Sequence, residues 1–282
     1  MNDSATRAVA VAMAAGVCGA IQPKINAVLG ARVGSALIAS LVNFTAAFVL
    51  VVVAVSLRPA TRRRLLDIGS WPVPRWTLTA GIGGAVIVVA GAVSVQTIGV
   101  AVFSVSFFAG QIIFGLFVDR LGVAPGGKRP ITPARLQAVL LAAGAAFAFQ
   151  SSFNARIALA TGDPVAATAV NVVVGTAALT AVIATLGAVG ILSAPQWPSQ
   201  PWLYTGGALG VTVVRSLSIA DAALGVLRAT MAMLAAQMIA ALCVDWAIAG
   251  EAPTLGVVGG AALTVAAVAV VGRRSTPHAA IG

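Results

Sequence analysis

The chain is a succession of long apolar runs separated by short polar breaks. Nine runs stand out, over residues 8–29, 35–57, 77–95, 100–118, 136–159, 165–192, 203–220, 223–248 and 255–271. Each is close to the roughly 20 residues that a helix needs to cross a hydrocarbon layer about 30 Å thick. Alanine, valine, leucine and glycine fill the runs without strict alternation, which disfavours a transmembrane barrel. The expected fold is therefore an all-α polytopic membrane bundle of about nine, or nine to ten, helices. The first run follows Arg7, but no small-residue cleavage site leads into a soluble domain, so it reads as a span and not as a signal peptide.

Composition supports the same class. Of 282 residues, 60% are hydrophobic and 9% charged, and mean hydropathy is +1.02. A water-facing surface carries about 25% charged residues, so lipid has to solvate much of this chain. The net charge of +10 could suggest nucleic acid, but the basic residues sit in loops and tails, where topology signals sit. Trp71, Trp76, Trp197, Trp202 and Trp246 lie at or just beyond run ends, the place of an interfacial aromatic belt. Cys18 and Cys243 lie inside apolar runs and suggest neither a disulfide nor a metal site, and His278 lies in a polar tail. No metal or cofactor is expected, and no nucleophile, acid–base set or phosphate loop argues for an enzyme.

Internal repetition is the strongest feature. Gln22-Pro-Lys-Ile-Asn26 returns as Gln150-Ser-Ser-Phe-Asn154, and Asn43 returns as Asn171, both 128 residues later. Trp76, Gly81, Gly84, Gly99, Gln111 and Asp119 return as Trp202, Gly207, Gly210, Gly225, Gln237 and Asp245, all 126 residues later. Polar residues inside apolar helices are costly, so matched ones indicate duplication. The division is into a first membrane repeat, 1–134, and a second, 135–282. Matched halves point to a secondary transporter with a site near the membrane midplane. A non-transporting membrane scaffold, with polar pairs used only for packing, is the alternative.

The series Gln-x-x-x-Asn, Asn, Trp…Gly-x-x-Gly, Gly…Gln…Asp, present twice, resembles the YdcZ-like branch of the drug/metabolite transporter superfamily. That resemblance implies two five-helix halves of opposite orientation, in an exporter of the bacterial cytoplasmic membrane. The chain departs from it between residues 133 and 159, where about 26 residues, ~39 Å of helix, leave room for one span and not two. Nine full crossings would make the halves parallel, against the family arrangement.

Loop charge shows the same conflict. Arg58, Arg62, Arg63, Arg64 and Arg75 follow the second run, and Arg120, Lys128, Arg129 and Arg135 follow the fourth, marking a cytoplasmic face. Simple counting would put the uncharged loop 193–201 on that face and Arg273 and Arg274 on the other. An inverted second half would remove both anomalies.

The expected substrate-binding residues are the matched amides Gln22, Asn26, Asn43, Gln111, Gln150, Asn154, Asn171 and Gln237, which can donate and accept without charge, together with Arg215. Interhelical packing is the competing role for such amides. Lys24, Asp119, Asp221 and Asp245 are candidates for coupling or gating. A centrally buried arginine costs at least ~2.5–3.5 kcal/mol, so Arg215 is expected to face the interior and to pair with Asp221 or a substrate. No acid lies between Arg7 and Leu57. Together with Lys24 and Arg215, this favours a neutral or anionic small-molecule substrate, with proton or ion coupling as a candidate role for the charged residues and the lipid bilayer as the surrounding partner.

Overall fold

A computed structural model of the chain describes residues 3–120 and 142–249, with residues 255, 258, 259 and 262. Among these residues all regular structure is helical. The first half contributes α1 (Asp3–Val33), α2 (Ala36–Ser56), the short surface helix α3 (Pro59–Leu66) and α4 (Ala80–Arg120). The second contributes α5 (Ala142–Thr161), α6 (Pro164–Ala188), α7 (Gly206–Leu224) and α8 (Val226–Ala249). Six of these helical segments are long and apolar enough to span a bilayer: Ala5–Val33, Ala36–Ser56, Arg75–Gln96, Pro164–Ala188, Pro201–Leu224 and Arg228–Ala247. The count of nine or ten is not reached among the described residues, and the expected run 255–271 lies almost entirely outside them. α3 is an element that the apolar pattern does not signal. Pro59 opens it, with a fixed φ suited to a first helical position.

α4 is two arms joined at Gly99, where φ is 74° and ψ is 170°. Its repeat partner Gly225 separates α7 from α8 with φ 78° and ψ 150°. Backbone with positive φ in this region is open to glycine and strained for other residues. The first arm of α4 turns back at Gly99, because Gly91 faces the ring of Phe103 on the second arm. The two arms of α4 are thus the equivalent of the α7–α8 pair, each joined through a single glycine.

The repeated helices meet head to tail. Thr61, just beyond α2, donates to Asp163 at the start of α6 (2.6 Å), while Thr176 farther along α6 donates to the Phe44 carbonyl in α2 (3.4 Å). Rising position in α2 therefore matches falling position in α6. α1 and α7 run antiparallel in the same way, with Ala12 against Ala220 and Gln22 against Gly210. Trp76 at the foot of α4 packs on Phe153, and Gly84 on Gln150, so α5 opposes the first arm of α4. Gly30 lies against Gln96 and Pro23 against Gly91, so that arm runs parallel to α1. Hence α5 is antiparallel to its repeat equivalent α1, and the halves are inverted.

Inversion removes the conflict raised by nine simple crossings. The second arm of α4 runs with α5, so Arg120 and Ala142, the described residues flanking 121–141, sit at opposite ends of the bundle. Leu203 packs with Leu29, Val33 and Ala39 around the α1–α2 turn, while the α5–α6 turn meets α3. The uncharged loop 193–201 thus lies on the face opposite Arg58–Arg64.

One apolar core crosses the boundary between halves. It joins Ala15, Ala20 and Ala27 of α1 to Val95, Phe103 and Phe107 of α4, Phe147 of α5, Leu217 of α7 and Met233, Leu234 and Met238 of α8. Val49, Leu50, Val52 and Val53 of α2, with Val182 of α6, remain exposed on the outside, as residues facing lipid do.

Candidate functional site

A cavity of about 80 Å³ lies where the two halves interlock. Its polar wall is made of Gln22, Asn43, Gln150, Asn154, Asn171 and Asp221, with Ser151 and Ser218, and its apolar wall includes Phe44, Ile87, Val88, Phe147, Val213 and Leu217. Five of the amides expected from the repeat therefore converge, three from the second half and two from the first.

Glycine brings them together. Each half packs its Gly-x-x-Gly helix against the amide helices of the other half. A methyl group on Gly210 would stand 2.7 Å from Gln22 Nε2, and one on Gly84 would stand 2.8 Å from Gln150 Nε2. One turn earlier, Gly207 meets the backbone of α2 at Asn43 and Ala47, and Gly81 meets the backbone of α6 at Asn171 and Gly175. Small residues permit such close backbone approach between membrane helices.

Within the wall, Gln22 Nε2 donates to Asn43 Oδ1 (3.2 Å). Gln150, Asn154 and Asn171 are buried, and neither Asn154 Oδ1 nor Asn171 Nδ2 has a protein partner. Asp221 is 4% exposed. Its Oδ2 accepts from Ser151 (3.0 Å), and its Oδ1 has no partner.

The remaining expected residues fall elsewhere. Asn26 is buried beside Gly206, off the cavity lining. Gln237 is buried in the α1–α8 contact, where its Nε2 donates to the Gly19 carbonyl (3.2 Å). Lys24 is half-buried on α1 and does not line the cavity. The side chains of Gln111 and Asp119 lie outside the described residues. Arg215 requires correction: it is exposed on α7 and neither faces the interior nor pairs with Asp221. Six residues are about 1.7 helical turns, so the two side chains leave α7 on different faces.

Asp245 joins the halves at the face opposite Arg58–Arg64. Its two carboxylate oxygens accept from the Val100 and Ala101 amides, at 3.1 and 2.8 Å. These amides begin the second arm of α4 just after Gly99, where unpaired donors and the helix dipole favour an anion. On the arginine-rich face, Asp163 caps α6 by accepting from Val165 (2.9 Å) and pairs with Arg64 (3.3 Å). Burial acts to raise the Asp163 pKa, but bonds from Thr61, from the Val165 and Ala166 amides and from Arg64 outweigh it and hold the carboxyl below its ordinary value. Neither Ser151 nor the Asp163 cluster was expected from sequence. A serine beside Gln150 and an Asp-Pro pair at a run start were the available signals.

Among the described residues, no group of His, Cys, Asp and Glu could hold a metal ion. Comparison with curated proteins and with solved structures gives no match. A protein-family comparison does match, twice, over residues 7–145 and 137–270. The two stretches overlap at 137–145, the segment where sequence leaves room for one span in place of two. Two copies of the family pattern, apolar helices and inverted packing make this a multi-pass protein of the cytoplasmic membrane, and the chain belongs to the family described as "Putative inner membrane exporter, YdcZ".

Proposed function

We propose that the protein is a secondary transporter that exports a small organic solute by alternating access, with the interlocked cavity as its binding site. The observation that carries this reading is the convergence of repeat-matched amides from both halves on one cavity. Inverted repeats supply two related arrangements of one scaffold, each open to one face. The arginine-rich face is the cytoplasmic one under the positive-inside rule. Asp245, bound to the α4 turn, joins the halves at the other face.

Transport by purified protein in liposomes, against a panel of small metabolites, tests the proposal. Gln22→Ala and Gln150→Ala should each lower the rate by about tenfold, the effect of removing a buried polar partner worth ~1–3 kcal/mol. Both variants should retain native helicity and melting behaviour. Full transport by both would assign the amides to packing and favour the scaffold reading.

A further inference from the structure

We infer that the cavity takes a small primary ammonium ion, with Asp221 as its counter-ion. The inference rests on the reading of this cavity as the transport site, and it replaces the expectation of a neutral or anionic substrate. That expectation came from Lys24 and Arg215, and both lie off the cavity lining. Among the described lining residues, Asp221 is the one ionisable side chain.

A buried carboxylate without a cation is costly, and its cost is relieved by a positive partner with donors to spare. Asp221 has one oxygen satisfied by Ser151 and the other unpartnered. Phe147, Ser151 and Asn154 stand four and three residues apart on α5, so they share one helix face. Asn154 Oδ1 is also unpartnered, which offers a second acceptor one turn from Ser151. An ammonium group has three N–H donors for such acceptors. The Phe147 ring on the same face attracts cations through its π-system, and Val213 and Leu217 provide an apolar wall for a short alkyl chain.

The first half has no such arrangement. The repeat counterparts of Asp221 and Ser151 are Val95 and Pro23, and Val95 is packed into the core. The acid is therefore not part of what the two halves share. Asp221 lines the cavity and keeps one carboxylate oxygen without a protein partner.

Calorimetry on the full chain in lipid nanodiscs tests the inference, with n-propylammonium, 1-propanol and tetramethylammonium as probes. Propylammonium should bind saturably, propanol should not bind detectably, and tetramethylammonium, which lacks N–H donors, should bind more weakly. Asp221→Asn should lose about tenfold or more in propylammonium affinity, as expected for a hydrogen bond to a charged group. If Asp221→Asn does not fold, Asn154→Ala serves instead and should weaken propylammonium more than tetramethylammonium. Equal binding of propanol and propylammonium by the native chain would overturn the inference, as would unchanged affinity in a folded Asp221→Asn. Gln22-dependent transport of an uncharged solute, unaffected by Asp221→Asn, would overturn the inference and leave the transporter reading intact. Propylammonium binding without transport of any solute would do the reverse.

Discussion

The two tight helix–helix turns are one device used on opposite faces. Gly34 and Gly162 occupy equivalent positions, both with positive φ (81° and 62°), and each is followed by a residue that caps the next helix. In the first half the cap is Ser35, which accepts from Ile38 (3.3 Å). In the second it is Asp163, which also holds Thr61 and Arg64. A neutral hydroxyl meets the bare demand of the helix end. The carboxylate does that and ties the turn to the arginine-bearing α3. Duplication therefore preserved the backbone geometry, while the surroundings of each copy shaped its chemistry. The same contrast separates Val95 from Asp221, and Val89 from the exposed Arg215.

The shared geometry can be broken equally in either half. Gly81→Val and Gly207→Val each push a side chain into the backbone of a helix from the other half. Each should destabilise the folded protein by about 1–3 kcal/mol or more, read as a lowered midpoint in detergent denaturation. Markedly unequal losses would mean that the halves do not carry equal packing.

Asp245 tests whether the turn at Gly99 needs its anion. Asp245→Ala leaves the Val100 and Ala101 amides without these acceptors, for an expected loss of about 2 kcal/mol. Hydrogen exchange at those two amides should accelerate, while exchange at Val165, in the other turn, should not change. Protection of Val100 and Ala101 in the variant would show another acceptor at this turn.

The smallest effects distinguish the two caps. Ser35→Ala should cost about 1 kcal/mol, independent of pH between 3 and 7. Asp163→Asn should cost a similar amount at neutral pH, and its effect should fade on acidification. The Asp163 pKa is lowered on folding. Its stabilisation is therefore full above the unfolded value of about 4 and is lost as pH falls through the folded one. Arg64→Ala should cost no more than about 1 kcal/mol, because Arg64 is half exposed and the pair is screened. Melting temperatures of the three variants across pH check the set.

Much of the site was legible because polar residues inside apolar helices are conspicuous. Gln22, Asn43, Gln150, Asn154 and Asn171 stand out by type and by repetition, and the structure gathers all five. Gln237 shows the limit of that signal: an amide that locks α8 onto α1 has the same sequence appearance as one lining a cavity. Arg215 shows another. Its burial was inferred from the cost of placing arginine in lipid, but helical phase sets it on a different face from Asp221. Ser151 is signalled in sequence only by its place beside Gln150, since its importance comes from a carboxylate 70 residues away.

Hydrophobic run length determined that the chain is a helical membrane protein, and residue spacing determined that it is a duplication with a matched polar set. These are properties of local pattern, which each segment carries alone. The relative direction of the halves was open, because 26 residues between them fit one crossing and the inverted arrangement needs another. Only tertiary structure decided it, through contacts such as Thr61 with Asp163 and Thr176 with Phe44, each more than 100 residues apart in the chain. The choice of which amides share a cavity, and of Asp221 as its acid, was decided in the same way. Both depend on how helices distant in the chain face one another, and no single helix encodes that.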